Sequence, residues 1–118
     1  MAQTKISHPI HVTLDGQNYF VWSQSMRNFI KGRKLWFYVT GEMKKPVKGS
    51  SEDEDTFRIR LIEWDSNNHQ ILTWLCNTSI PSISNLLGNF DDAHTTWDML
   101  AKRYSSPHGT QEYQLSIK

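Results

Sequence analysis

Apolar residues recur at helical spacing in three stretches of this chain, and no stretch alternates with period two for long. From Tyr19, at about 100° per residue, Tyr19, Trp22, Met26, Phe29 and Ile30 fall on one arc, while Ser23, Gln24, Arg27, Asn28 and Lys31 take the rest. This predicts a helix over residues 19–31. Asn18 is its expected N-cap, because a side-chain oxygen there can accept from an orphan amide of the first turn, and Gly32 is expected to end it in a left-handed conformation. A second stripe of Phe57, Leu61, Trp64, Asn68, Ile71, Leu72 and Leu75 keeps the period for about five turns, a helix of about 35 Å. Ser51 and Glu54 stand before it at capping-box spacing, and Glu52, Asp53 and Asp55 place negative charge at the positive end of the helix dipole. Asn68 interrupts the stripe, either as a hydrogen-bonded core amide or as the point where the helix bends. The third stripe, Ala93, Trp97, Leu100, Ala101 and Tyr104, begins behind Asp91 or Asp92 as its cap.

Shorter pieces join these three. The run Leu35, Trp36, Phe37 and Tyr38 predicts one helical turn closed by a turn at Gly41, and residues 42–50, with Lys44, Lys45, Pro46, Lys48 and Gly49, read as a solvated loop. Pro81 suits a first helical turn, and Ile83, Leu86 and Leu87 make a short amphipathic helix ended by Gly88. Residues 1–13 lack periodicity and contain Pro9, which fits a flexible arm or an extended segment laid over the surface. Residues 105–109 break the pattern, and the tail 105–118 looks like the start of a helix that the chain does not finish. The expected fold is therefore all-α, a compact bundle of about five helices over residues 14–104.

The predicted core comprises Tyr19, Trp22, Met26, Ile30, Trp36, Leu61, Trp64, Leu72, Trp97, Leu100 and Tyr104. Trp22, Trp64 and Trp97 are expected to share it, so Trp64→Ala should remove about 3–5 kcal/mol, a large share of the roughly 5–15 kcal/mol that holds a domain together. Some apolar residues leave these stripes: Phe20 and Val21 on the first helix, Ile59, Ile62 and Trp74 on the long one, Met99 on the last. They form either a second core layer or a contact surface, and Phe20, Ile59, Ile62 and Met99 are the candidate interface.

Composition narrows the chemistry. The 118 residues suffice for one domain, and a formal charge of +1 gives no global field toward nucleic acid or an anionic membrane. Cys76 stands alone, which excludes an internal disulfide framework and a cysteine-based zinc site and suits a reducing compartment. No apolar run approaches the roughly 18–20 residues of a membrane span, and the polar start has no signal-peptide core, so a cytoplasmic protein without membrane contact is expected. His8, His11, His69, His94 and His108 show no helical pairing around a glutamate, and neither a nucleophile elbow nor a phosphate loop is present. The acidic residues 52–55 suit a solvated helix start. No enzyme activity, catalytic residue, metal or cofactor is expected. Arg27, Lys31, Arg33 and Lys34, with Lys44, Lys45 and Lys48, lie close in sequence to Trp36 and Tyr38, as in a single-strand-binding surface; those aromatics fit a core better, so RNA contact is weak at most.

One set of residues runs through nearly the whole chain: Leu14, Gly16, Asn18, Tyr19 and Trp22, followed by Met26, Trp36, Gly41, Pro46, Trp64, Trp74, Leu75, Ile83, Trp97, Leu100 and Tyr104. It resembles the N-terminal Gag domain of plant copia-type retrotransposons, over about residues 14–104. The specificity lies in the opening cluster combined with the late Trp97, Leu100 and Tyr104. The resemblance implies an all-α domain similar to the N-terminal half of a retroelement capsid, whose partners are itself, as a homo-oligomer, and other Gag subunits, packaging the element's RNA in a virus-like particle. It implies no catalytic residues. With no second capsid half and no Cys/His knuckle in the sequence, the chain is expected to be an excised piece or a truncated copy put to host use, in which case a host protein is the alternative partner.

Overall fold

The computed structural model describes residues 9–105. They form five α-helices and no sheet: α1 (Tyr19–Gly32), α2 (Trp36–Thr40), α3 (Glu54–Asn77), α4 (Pro81–Leu87) and α5 (Ala93–Tyr104). This is the all-α architecture the periodicities predict. α2 packs against α1 and α5, and α3 against α4 and α5. The arm's first eight residues and the tail beyond Ser105 lie outside the described residues.

The core is an aromatic hub closed by hydrogen bonds. Trp22 on α1 is wholly buried and stacks on Trp97 of α5 at 5.5 Å between ring centroids, while Trp36 of α2 meets Trp97 edge-on at 5.4 Å. A buried indole N–H needs an acceptor, and Trp22 Nε1 donates to Thr78 Oγ1 at 3.0 Å. Thr78, just past α3, passes its own hydroxyl proton to the Trp74 carbonyl at 2.9 Å. Residues 9–14 are drawn in at the same place. Leu14 is fully buried and makes a single parallel bridge with Ser79, its N–H donating to Thr78 O at 2.7 Å and its carbonyl accepting from Ile80 N at 3.0 Å. Ile10 and Val12 pack against the core beside it, so this part of the arm is the extended surface segment of the two forms expected.

Asn68 resolves as a core amide. It is 1 % exposed, its Nδ2 donates to Asp91 O at 2.7 Å, and its Oδ1 accepts from Ala93 N at 2.7 Å, so a side chain of α3 satisfies the backbone at the start of α5. Asp92 is the cap of that helix, accepting from Thr95 N at 2.8 Å.

Three local expectations are corrected. Asn18 stands at the N-cap of α1 but does not cap it: its Oδ1 accepts from Asp15 N and its Nδ2 donates to Thr13 O, closing the turn around Gly16 instead. Gly32 stays within α1, and the left-handed residue is Lys34, at φ 64°. There the Lys34 and Leu35 amides donate to the carbonyls of Lys31 and Ile30, the paired bonds of a Schellman end, so the geometry of the stop holds although a lysine occupies glycine's usual place. The capping box of Ser51 and Glu54 does not form, because α3 starts later. Asp53 caps it by accepting from Thr56 N at 2.8 Å, and Glu52 is drawn away to Arg60. Trp74, set outside the stripe by its phase, takes the second core layer of the two alternatives: it is 2 % exposed and meets Phe29 of α1 edge-on at 4.8 Å.

Candidate assembly surface

The two ends of α3 have different surroundings. Asn68, Ile71, Trp74 and Leu75 are buried, whereas none of residues 54–66 is. That first half is covered on one side, by the loop joining α2 to α3 and by Tyr38 of α2, whose ring centroid lies 6.2 Å from that of Trp64. Trp64 Nε1 donates to Met43 O at 2.7 Å, and the Arg60 guanidinium grips both oxygens of Glu52 at 2.8 Å each and reaches Val47 O at 3.2 Å. The Gly49 amide completes the clasp, donating to Glu52 Oε1 at 3.0 Å. Hydrogen bonds from Arg60 and then from Gly49 hold the Glu52 carboxyl at a pKa of about 2, well below its ordinary value.

At 100° per residue, Phe57, Arg60 and Trp64 point toward this loop, while Ile59 and Ile62 point the other way. Ile59 is 67 % and Ile62 60 % exposed. Arg58, Glu63, Asp65 and Ser66 surround them, all exposed.

A second uncovered surface lies on α1 and α2. Phe20, 71 % exposed, shares a shallow groove with Tyr19, Arg27, Trp36 and Trp97, and Phe37 lies beside Lys31, Lys34 and Trp36. The Lys31 ammonium sits 5.8 Å from the Trp36 ring, in cation–π range. From Tyr19 through Gly41 the sequence holds four basic residues, Arg27, Lys31, Arg33 and Lys34, and no acidic one.

Of the residues predicted to be core, Trp22, Met26, Ile30 and Leu100 are buried; Tyr19, Trp36, Trp64, Trp97 and Tyr104 are partly buried and packed against the core; Leu61 and Leu72 are also partly buried. Of the proposed interface residues, Phe20, Ile59 and Ile62 are exposed, but Met99 packs against the core and leaves the set, because α5 turns that flank inward. Tyr38, read as a neighbour of the basic residues, is buried and accepts from Asn67 Nδ2 at 3.0 Å, so it offers no stacking face. Sequence reasoning missed exposed Phe37 and Val47 and the Arg60–Glu52 clasp. Phe37 lies in an apolar run too short to carry a period, and an eight-residue separation across a helix start matches no local pairing rule. Burial raises the Tyr19 and Cys76 pKa values, so the Cys76 thiol stays protonated and unreactive.

Residues 8–47 match the family model described as Gag-polypeptide of LTR copia-type. The match supports a copia-type Gag domain. The matched stretch takes in α1, α2 and the first part of the loop, and the exposed isoleucines of α3 lie downstream of it. The Gag family is in general structural and not enzymatic. No curated protein and no solved structure matches the chain. Among the described residues no helix is long and apolar enough to cross a membrane.

Proposed function

We propose that this domain is a structural self-assembly module of a retrotransposon Gag, in which copies meet through apolar side chains that the fold leaves uncovered. The observation that carries this reading is the face of α3 bearing Ile59 and Ile62, more than half exposed on a helix whose other face is already occupied by the loop. Phe20 and Phe37 on α1 and α2 form a separate uncovered surface, which allows one subunit to touch more than one neighbour, as a shell requires. Each contact is small, and repetition multiplies weak contacts into a stable particle. The role requires no catalytic step and no cofactor, and a chain whose lone cysteine needs no partner suits assembly in the cytoplasm.

Light scattering across a concentration series tests this. The mass of the unmodified chain is expected to rise with concentration, and Ile59→Ser with Ile62→Ser should suppress the rise while circular dichroism stays unchanged. A mass that ignores both substitutions refutes the role of this face. If the chain instead stays monomeric and captures one defined protein, it is a host-adopted adaptor using the same side chains.

The acid-free stretch of α1 and α2 favours a second, weaker reading, a supplementary contact with RNA phosphates through Lys31 and Lys34. It predicts affinity that falls steeply with salt and with Lys31→Glu.

A further inference from the structure

Resting on the self-assembly reading and specifying its geometry, we propose that α3 pairs with α3 of a second copy in antiparallel orientation, about a twofold axis between residues 60 and 61. At 100° per residue, Ile62, Asp55, Ser66 and Ile59 fall within an arc of about 60°, with Arg58 and Asp65 on one flank and Glu63 on the other. All seven side chains are exposed; the loop is held on the Arg60 and Trp64 side of the helix, and its Lys45 reaches the edge of this arc beside Ile62, Asp65 and Ser66.

The register follows from charge. With the axis between residues 60 and 61, Ile59 of one copy faces Ile62 of the other, twice, and Asp55 faces Ser66, twice, so each carboxylate meets a hydroxyl that can donate to it. Arg58 of one copy and Asp65 of the other share a flank, offset along the helix by two residues, about 3 Å. That makes two ion pairs across the axis. Their present partners are cheap to give up. Arg58 holds Asp55 at 2.9 Å with both side chains mostly in solvent, and Asp65 lies 3.3 Å from the His69 ring, each an exposed pair within one helix that water screens. The two Glu63 side chains are about 7 Å apart along the axis, where water screens them. The parallel alternative places Asp55 against Asp55 beside the isoleucines, a direct opposition of like charges.

Such a pairing is isologous and closes at two copies, leaving the α1–α2 surface for a different neighbour. Two isoleucines per copy fall well short of the roughly 800 Å² that each partner of a stable complex buries, so the pair is weak and populated only at high concentration.

Sedimentation equilibrium of the full chain up to the millimolar range tests the proposal. A monomer–dimer equilibrium is expected, weakened about tenfold by Asp65→Arg or by Arg58→Asp alone and restored by the two together. On a Cys76→Ser background, chains carrying Asp55→Cys should form disulfides with chains carrying Ser66→Cys, while Ser66→Cys chains should not link to one another. A purely monomeric chain, indifference to Asp65→Arg, or self-linking of Ser66→Cys overturns the antiparallel pairing. If Ile59→Ser with Ile62→Ser still abolishes association in either of the last two cases, the self-assembly reading survives and only its geometry falls.

Discussion

One helix is enclosed along its second half and uncovered on one face along its first. The second half of α3 sends Asn68, Ile71, Trp74 and Leu75 into the hub, where every large side chain has neighbours from α1, α4 or α5 and the buried indole and amide groups have hydrogen-bond partners. The first half meets the loop through the Trp64 indole and the Arg60 guanidinium, and α2 only through Tyr38 beside Trp64. The stripe keeps its helical phase through both halves, with Asn68 as its one polar member. Periodicity therefore identifies the face that is covered; whether helices or a strap cover it is decided by long-range packing.

The largest expected effect sets two tryptophans of this helix against each other. Trp74→Ala empties a site 2 % exposed and should cost about 3–5 kcal/mol. Trp64 is only partly buried, and Trp64→Ala should cost about half as much, since it gives up partial burial and one hydrogen bond to Met43. This revises the expectation that Trp64 is indispensable. Urea denaturation of both variants decides, and equal losses would erase the distinction between the halves.

Asn68 marks the boundary. Asn68→Leu keeps the volume but leaves the Ala93 amide and the Asp91 carbonyl without their partner, an expected loss of about 2–3 kcal/mol concentrated at the start of α5. Hydrogen exchange should show protection lost over the first turn of α5 while residues 54–63 are unaffected.

Gly41 comes next. Its φ of 88° is left-handed, and an added Cβ would lie 3.2 Å from the His94 ring, which hydrogen-bonds Val39 O. Gly41→Ala should cost about 1–2 kcal/mol in thermal unfolding. A neutral result would mean that the α2–α5 contact yields easily.

Much of this was legible in the chain. The three helical periods gave α1, α3 and α5, Gly41 gave the end of α2, and the proline and glycine around Ile83 gave α4, because these are local consequences of spacing and backbone freedom. What escaped depended on partners far along the chain. Phase left Trp74 open between a second core layer and a contact surface and set Met99 in the candidate interface; Phe29 of α1 covers the first and the core takes in the second, and neither partner is written in the residue's own helix. Asn18 was read as a cap and Glu52 as charge facing the helix dipole, yet each has a competing partner, the Thr13–Asp15 turn and the Arg60 guanidinium, and the competing partner wins. For the assembly surface, phase correctly placed Phe20, Ile59 and Ile62 outside the stripes. Phase could not show that the loop occupies the opposite face.

The smallest expected effect probes the uncovered half alone. Glu52 carries a pKa of about 2 in the fold against an ordinary 4.5, so its clasp on Arg60 contributes stability in full above about pH 4.5 and loses it as pH falls toward 2. The buried polar residues are Asn68, Thr78 and Thr96, none of which titrates, so acid should unpin the loop before any buried side chain of the hub changes charge. The Gly49 amide and Arg60 Nε resonances report the clasp directly, and both should shift with a midpoint near pH 2. Arg60→Lys replaces a two-pronged grip with a single ammonium and should move the midpoint up toward 4.5 while the Trp22 indole resonance, held by Thr78, stays in place. A midpoint already near 4.5 in the unmodified chain would mean the clasp is not closed in solution, which would leave the uncovered half of α3 without its strap.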